Sequence, residues 1–148
     1  MFMKIRRFVM EDYDAVYVLW QRTAGMGLND IDDSREGIAK YLARNPTTFL
    51  VAEAEEAIVG VIMSGHDGRR GYIHHTCVAQ ELWCQGVGSA LVGAALNALK
   101  AEGISKSALV VFGKNDIGNA FWQRRGFAPR PDLVYRDKAL TTLKRMDT

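Results

Sequence analysis

Two places in the 148-residue chain bring together residue types that can do chemistry. The first is Trp83-Cys84-Gln85-Gly86-Val87-Gly88-Ser89, a glycine-rich turn that runs directly into an apolar helical pattern. The N–H groups of a first helical turn have no partners inside the helix, and the helix dipole makes that end weakly positive, so such a turn attracts a phosphate. Gly86 and Gly88 carry no Cβ, which lets an anion approach the backbone. No Lys-Ser/Thr follows, so this is not a Walker loop, and the third glycine of a dinucleotide fingerprint would fall at Leu91. On the glycines alone, a plain connector is as good a reading as a phosphate turn. The second place is His74-His75. An imidazole with an ordinary pKa of about 6.5 suits proton acceptance at neutral pH. Adjacent strand residues point to opposite faces, so one histidine faces a cleft and the other the core or the helices. Regular alternation puts His74 on the face of Thr76 and Val78, and a β-bulge would reverse that parity. The plain alternative is that both histidines only pack or hydrogen-bond.

The elements that must position these residues are readable from period and punctuation. Residues 3–8 read as a strand and 11–23 as a helix, with Tyr13, Val16, Leu19 and Trp20 on its apolar stripe. Residues 25–33 form a loop. A second helix is predicted to begin near Asp33, with Glu36 three residues later as in a capping box, and Asn45-Pro46 stops it. Residues 48–54 and 57–64 read as a hairpin, a turn follows at 66–71, and 71–79 is a third strand, which makes an antiparallel meander. Residues 86–102 read as a helix, 107–112 as a short buried strand, and 115–125 as a helix with Gly126 past its end. Residues 127–128 and 133–139 are expected to be the last strands. The order β-α-α-β-β-β-α-β-α-β-β is that of a mixed α/β fold, helices layered on a sheet.

Composition narrows the function classes. With 48% hydrophobic and 24% charged residues, the chain reads as one soluble globular domain over 1–148. A compact fold of its size exposes about 7,500 Å². No run of about 18 apolar residues suggests a membrane span, and the N-terminus lacks the apolar stretch of a secretion signal, so a cytoplasmic location is expected. A disulfide between Cys77 and Cys84 is not expected, and no Cys/His cluster has metal spacing, so no metal is predicted. A formal charge of +2 gives no electrostatic case for nucleic acid or for an anionic membrane as partner.

With these elements in place, the chain resembles the GNAT-superfamily N-acetyltransferases. The resemblance lies in Trp83-Cys84-Gln85-Gly86-Val87-Gly88, similar to the family's Gln/Arg-x-x-Gly-x-Gly/Ala turn. It extends to Thr76-Cys77-Val78-Ala79 before the turn and to the run from Asn115 through Asn119 and Trp122 to Gly126-Phe127 after it. It implies a mixed, mostly antiparallel central sheet with helices on both faces and strands splayed at a cofactor cleft. It further implies acetyl-CoA as co-substrate, its pantetheine along Cys77, Val78 and Ala79, and its pyrophosphate on Cys84, Gln85, Gly86, Val87, Gly88 and Ser89. Asn115, Asn119 and Trp122 are implied to border the same cofactor, and the Val78 N–H to support the oxyanion. Two departures stand out. Trp83 replaces the usual Gln or Arg, with Gln85 or Arg124 as candidate substitutes for the lost side chain, and Trp122 replaces a tyrosine that serves as acid in many relatives. A lysine-like acceptor with a pKa of about 10.4 is only about one part in 10³ neutral at pH 7, a cost of about 4–5 kcal/mol, so a base matters more than an acid. His74, or else His75, is the candidate base. The loop between the first two helices borders the acceptor in the resemblance, and Asp30, Asp32 and Asp33 there would attract a cationic amine, small-molecule or protein-borne. The expected reaction is direct attack of a primary amine on acetyl-CoA. The alternative is a non-catalytic acyl-CoA-binding module, which Trp122 motivates. Many relatives are dimers, so a homodimer is compatible with the resemblance.

Overall fold

A computed structural model describes residues 2–147. Its elements are β1 (Lys4–Arg7), α1 (Tyr13–Gln21), α2 (Arg35–Arg44), β2 (Phe49–Ala54), β3 (Ala57–His66), β4 (Gly71–Val78), α3 (Val87–Ala101), β5 (Ser107–Ala108) and α4 (Asp116–Arg124). The five strands lie in sequence order; β1 to β4 are antiparallel and β5 runs parallel to β4.

Alternation along the strands sorts the core into two layers. Phe49, Val51, Val61, Met63 and Cys77 pack with Val16, Leu19 and Trp20 of α1 and Ile38 of α2. Leu50, Ala52, Ile62 and Ile73 point the other way, onto Val87, Leu91, Val92 and Ala95 of α3. The helices therefore cover both faces of the sheet, as the resemblance implied. The β2–β3 turn sets Glu55 and Glu56 at φ 52° and 63°, the backbone of a tight two-residue hairpin. Arg6 ties β1 to the start of α1 through a bidentate pair with Asp12 (2.8 and 2.9 Å), whose second role is to accept the Val9 N–H.

Three expectations need correction. The predicted α2 start at Asp33 moves one residue on: Ser34 is the cap, its Oγ accepting the Gly37 N–H at 3.0 Å, and the Asp33 carboxylate is committed elsewhere. The strand expected over 107–112 is only two residues long, because β4 and β5 pair at Gly71–Ser107 and Tyr72–Ala108 and then part. The strands expected at 127–128 and 133–139 do not form. Pro129 and Pro131 lack N–H donors, Arg130 and Asp132 close a local ion pair, and the diverged β5 offers no edge to them. Leu133, Val134 and Tyr135 are exposed as a result, and the total surface of 9570 Å² exceeds the compact-fold figure by about 2,000 Å².

Candidate active site

The parting of β4 from β5 leaves residues 73–78 of β4 without a neighbour on one edge. The Ala79 N–H bonds the Val59 carbonyl at 2.8 Å. Antiparallel pairing alternates, so the N–H and C=O of Val78 point away from β3 and into the gap. The Val78 carbonyl there accepts the Trp83 indole N–H at 2.8 Å. Trp83 thus has a job of its own, tying the turn to the end of β4. Cys77, one residue earlier, is buried on the α1 side, and burial pushes its thiol up to about 12, so it offers backbone rather than chemistry.

Beyond Trp83 the chain turns through Cys84 (φ 64°) and Gly86 (φ 88°) into α3. The first α3 bond runs from the Ala90 N–H to the Gly86 carbonyl, so the N–H groups of Val87, Gly88 and Ser89 have no acceptor among the described residues. Val87 buries its side chain while keeping that N–H available. The α3 first turn carries no acid to oppose an anion. Gly86 needs glycine for its positive φ, and a Cβ there would meet open space. Gly88 has a packing role besides its free N–H. A Cβ on it would lie 3.1 Å from the Phe121 ring, so its smallness seats α4. The Gln85 amide turns back toward the Glu81 carbonyl at 3.4 Å, and Arg124 toward Ala120 at the same distance.

The three downstream residues make contacts that hold α4. Asn115 caps the helix by accepting the Gly118 N–H at 2.9 Å. Asn119 donates to the carbonyls of Phe112 (3.0 Å) and Asn115 (2.8 Å). Trp122 packs edge-on between Phe121 and Phe127, with centroids 5.0 and 5.2 Å away.

The histidines sit on the unpaired stretch of β4. Ile62 faces Thr76 while Ser64 faces Ile73, so His74 and His75 together oppose Met63 and form a bulge. The bulge overturns the regular alternation: His74 does not share the face of Val78. Its ring lies beside Tyr72 (4.6 Å) and Tyr41 of α2 (5.7 Å), on the α1/α2 side. His75 lies on that side too, edge-on to Trp20 at 5.0 Å. Although His74 is open on its outer surface, desolvation by its neighbours and then the adjacent His75 push its imidazole down to about 4, so it stays neutral. His75 Nε2 lies 2.7 Å from Asp33 Oδ1.

Asp33, expected from the sequence to open the second helix and to attract a cation together with Asp30 and Asp32, is instead buried against His75. It is 3% exposed, accepts the Asn29 N–H on Oδ2 at 2.8 Å, and receives the Tyr13 hydroxyl proton on its backbone carbonyl at 2.6 Å. No local signal marks it, because its partner is 42 residues away. Asp30 and Asp32 differ: Asp32 accepts from Asn29 Nδ2, and Asp30 accepts the Lys144 N–H while its own N–H bonds the Lys144 carbonyl. With Asp147 accepting the N–H groups of Gly27 and Leu28, the end of the chain staples this loop. Among the described residues no cluster of three His, Cys, Asp or Glu could hold a metal ion, and no helix is long and apolar enough to cross a membrane.

Comparison with known proteins gives the family and the fold. Residues 13–127 match the family model described as "Acetyltransferase (GNAT) family". The chain is 31% identical over 138 residues to an acetyltransferase of Sodalis glossinidius (strain morsitans), covering 93% of this chain and 96% of that one. In fold it is similar to Ard1 from Thermoplasma volcanium, with a TM-score of 0.76 and 24% identity over 85% of this chain and 82% of that one. It is also similar to the paia N-acetyltransferase of Thermoplasma acidophilum in complex with coenzyme A, with a TM-score of 0.74 and 18% identity over 84% and 89%.

Proposed function

The chain belongs to the GNAT acetyltransferase family, and from that membership we propose that it transfers the acetyl group of acetyl-CoA to a primary amine by direct attack within a ternary complex. The observation that carries the reading is the alignment of donors along one gap. The free Val78 N–H faces the parting of β4 and β5, and one turn further on stand the unpaired N–H groups of Val87, Gly88 and Ser89. The second set would receive the pyrophosphate, with Gly86 allowing the turn and the helix dipole favouring the charge. The first would polarise the thioester carbonyl and hold the developing oxyanion. Holding amine and thioester together makes an acyl-enzyme unnecessary.

Proton removal from the amine is assigned to the histidine pair. His75, beside a buried carboxylate, is the better acceptor of the two, because an imidazole pushed down to about 4 is a weak base. His74 then lines the site in its neutral form. The acceptor would enter from the α1–α2 loop side, where Asp30 and Asp32 are exposed and attract a cation, whether a small amine or a protein amino group. No feature of the site favours the binding-only alternative.

Calorimetric titration with acetyl-CoA, followed by a thiol-release assay over polyamines, amino acids, aminoglycosides and lysine peptides, tests the reading. Binding with turnover on one acceptor class is the expected result. Absence of acetyl-CoA binding would overturn it.

A further inference from the structure

We infer that Asp33 is a positioning residue for His75 and that the two form one proton-accepting unit toward the acceptor amine. The inference rests on the acetyltransferase reading above and adds a residue to its machinery. An ionised carboxylate only accepts hydrogen bonds, so the 2.7 Å contact places the ring proton of neutral His75 on Nε2 and its lone pair on Nδ1. Nδ1 has no hydrogen-bond partner among the described residues, and it is not one of the buried orphaned atoms, so it keeps contact with solvent. The ring cannot easily turn away, since the fully buried Trp20 stands edge-on against it. Asp33 is itself pinned at three points: by the Asn29 N–H, by the Tyr13 hydroxyl and by the ring. A buried carboxylate is costly unless its oxygens are paired, and here each oxygen has a partner. A base whose far nitrogen is held by a third group is the arrangement that activates nucleophiles elsewhere.

The position is also right. His75 stands three residues before Val78 on the same unpaired stretch of β4, about 10 Å along the strand at about 3.3 Å per residue, with its ring on the α1/α2 side from which the acceptor would enter. The acceptor ammonium gives one proton to Nδ1, and its freed lone pair forms the new N–C bond. The C–S bond breaks, its electron pair stays on sulfur, and the second proton of the nitrogen ends on the coenzyme A thiol. The imidazolium, stabilised meanwhile by Asp33, returns its proton to solvent.

The experiment compares wild type, Asp33→Asn, His75→Ala and the double variant. It measures kcat and KM for the best amine, Kd for acetyl-CoA, and the ¹⁵N tautomer spectrum of His75, with thermal melting to confirm folding. Expected are the Nε2–H tautomer in wild type and a growing Nδ1–H fraction in Asp33→Asn. Its kcat should fall at least about tenfold, with Kd for acetyl-CoA unmoved. His75→Ala should lose about 100-fold, and the double variant should be no worse than His75→Ala alone. Unchanged kcat in a folded Asp33→Asn, multiplying losses in the double variant, or a wild-type ring in the Nδ1–H form would each overturn the inference. If Asp33→Asn does not fold, the wild-type tautomer spectrum decides. A wild type that binds acetyl-CoA but turns over no amine overturns the acetyltransferase reading and this inference with it; a fully active Asp33→Asn overturns the inference alone.

Discussion

The two halves of the site are built from different materials. On the α3 side the available groups are backbone N–H donors, placed by one strand end, one turn and one helix start within residues 78–89. On the α1/α2 side they are side chains that find partners across long stretches of chain: Asp33 with His75, Trp20 with His75, the Asp30 carboxylate with the Lys144 N–H, and the Asp147 carboxylate with the Gly27 N–H. Backbone donors are the same for every residue type except proline, so under the proposed function the first half suits a ligand shared across the family. Side chains can be exchanged one by one without losing the fold, so under the proposed function the second half is where an acceptor would be chosen.

The comparison makes four predictions, in order of size. Gly86→Val forces a β-branched residue to φ 88°, a strain of about 1–3 kcal/mol placed on the phosphate turn alone. Acetyl-CoA Kd should rise up to about 100-fold in calorimetry. An unchanged Kd would mean that the turn does not bind the cofactor.

Next comes a control outside both halves. Burial alone would raise the Asp12 carboxyl, but the Arg6 guanidinium and the Val9 N–H outweigh it and hold the group below its ordinary range. A carboxyl depressed in the folded state contributes stability above its unfolded pKa and loses it as pH falls through the folded value. Asp12→Asn should therefore cost about 2 kcal/mol in urea unfolding at pH 7, and the gap to wild type should close in acid. Acetyl-CoA Kd should not move.

Removing residues 144–148 should release the α1–α2 loop, since Lys144, Met146 and Asp147 supply its backbone partners. We expect kcat/KM for the amine to fall about tenfold, roughly 1.4 kcal/mol, with acetyl-CoA binding retained. An equal loss of both would erase the division between the halves. Last, Trp83→Phe keeps the ring but deletes the bond to the Val78 carbonyl. A net hydrogen bond of about 1 kcal/mol predicts about a fivefold weaker acetyl-CoA affinity and little change in the acceptor KM.

The same division governs what could be read in advance. The glycine turn, the helix that follows it, the helix over 115–125 and the meander of β2, β3 and β4 are all visible as local patterns, because each depends on residues a few positions apart. The bulge at His74-His75 was foreseen only as a complication, and it decided which face the histidines take. The final strands were misread at Leu133-Val134-Tyr135 because β-forming side chains favour a strand only where a neighbouring edge exists.

By itself, then, the sequence determined the layers, the order of elements as far as α4 and the donor-lined turn, since periodicity, caps and glycine conformations act within a turn or a strand. Tertiary structure alone decided that Asp33 rather than Asp30 or Asp32 is buried, that it meets His75 and not His74, and that the end of the chain holds the loop that carries it. Those contacts join residues 42 to 120 positions apart, and no local propensity encodes a distance of that kind.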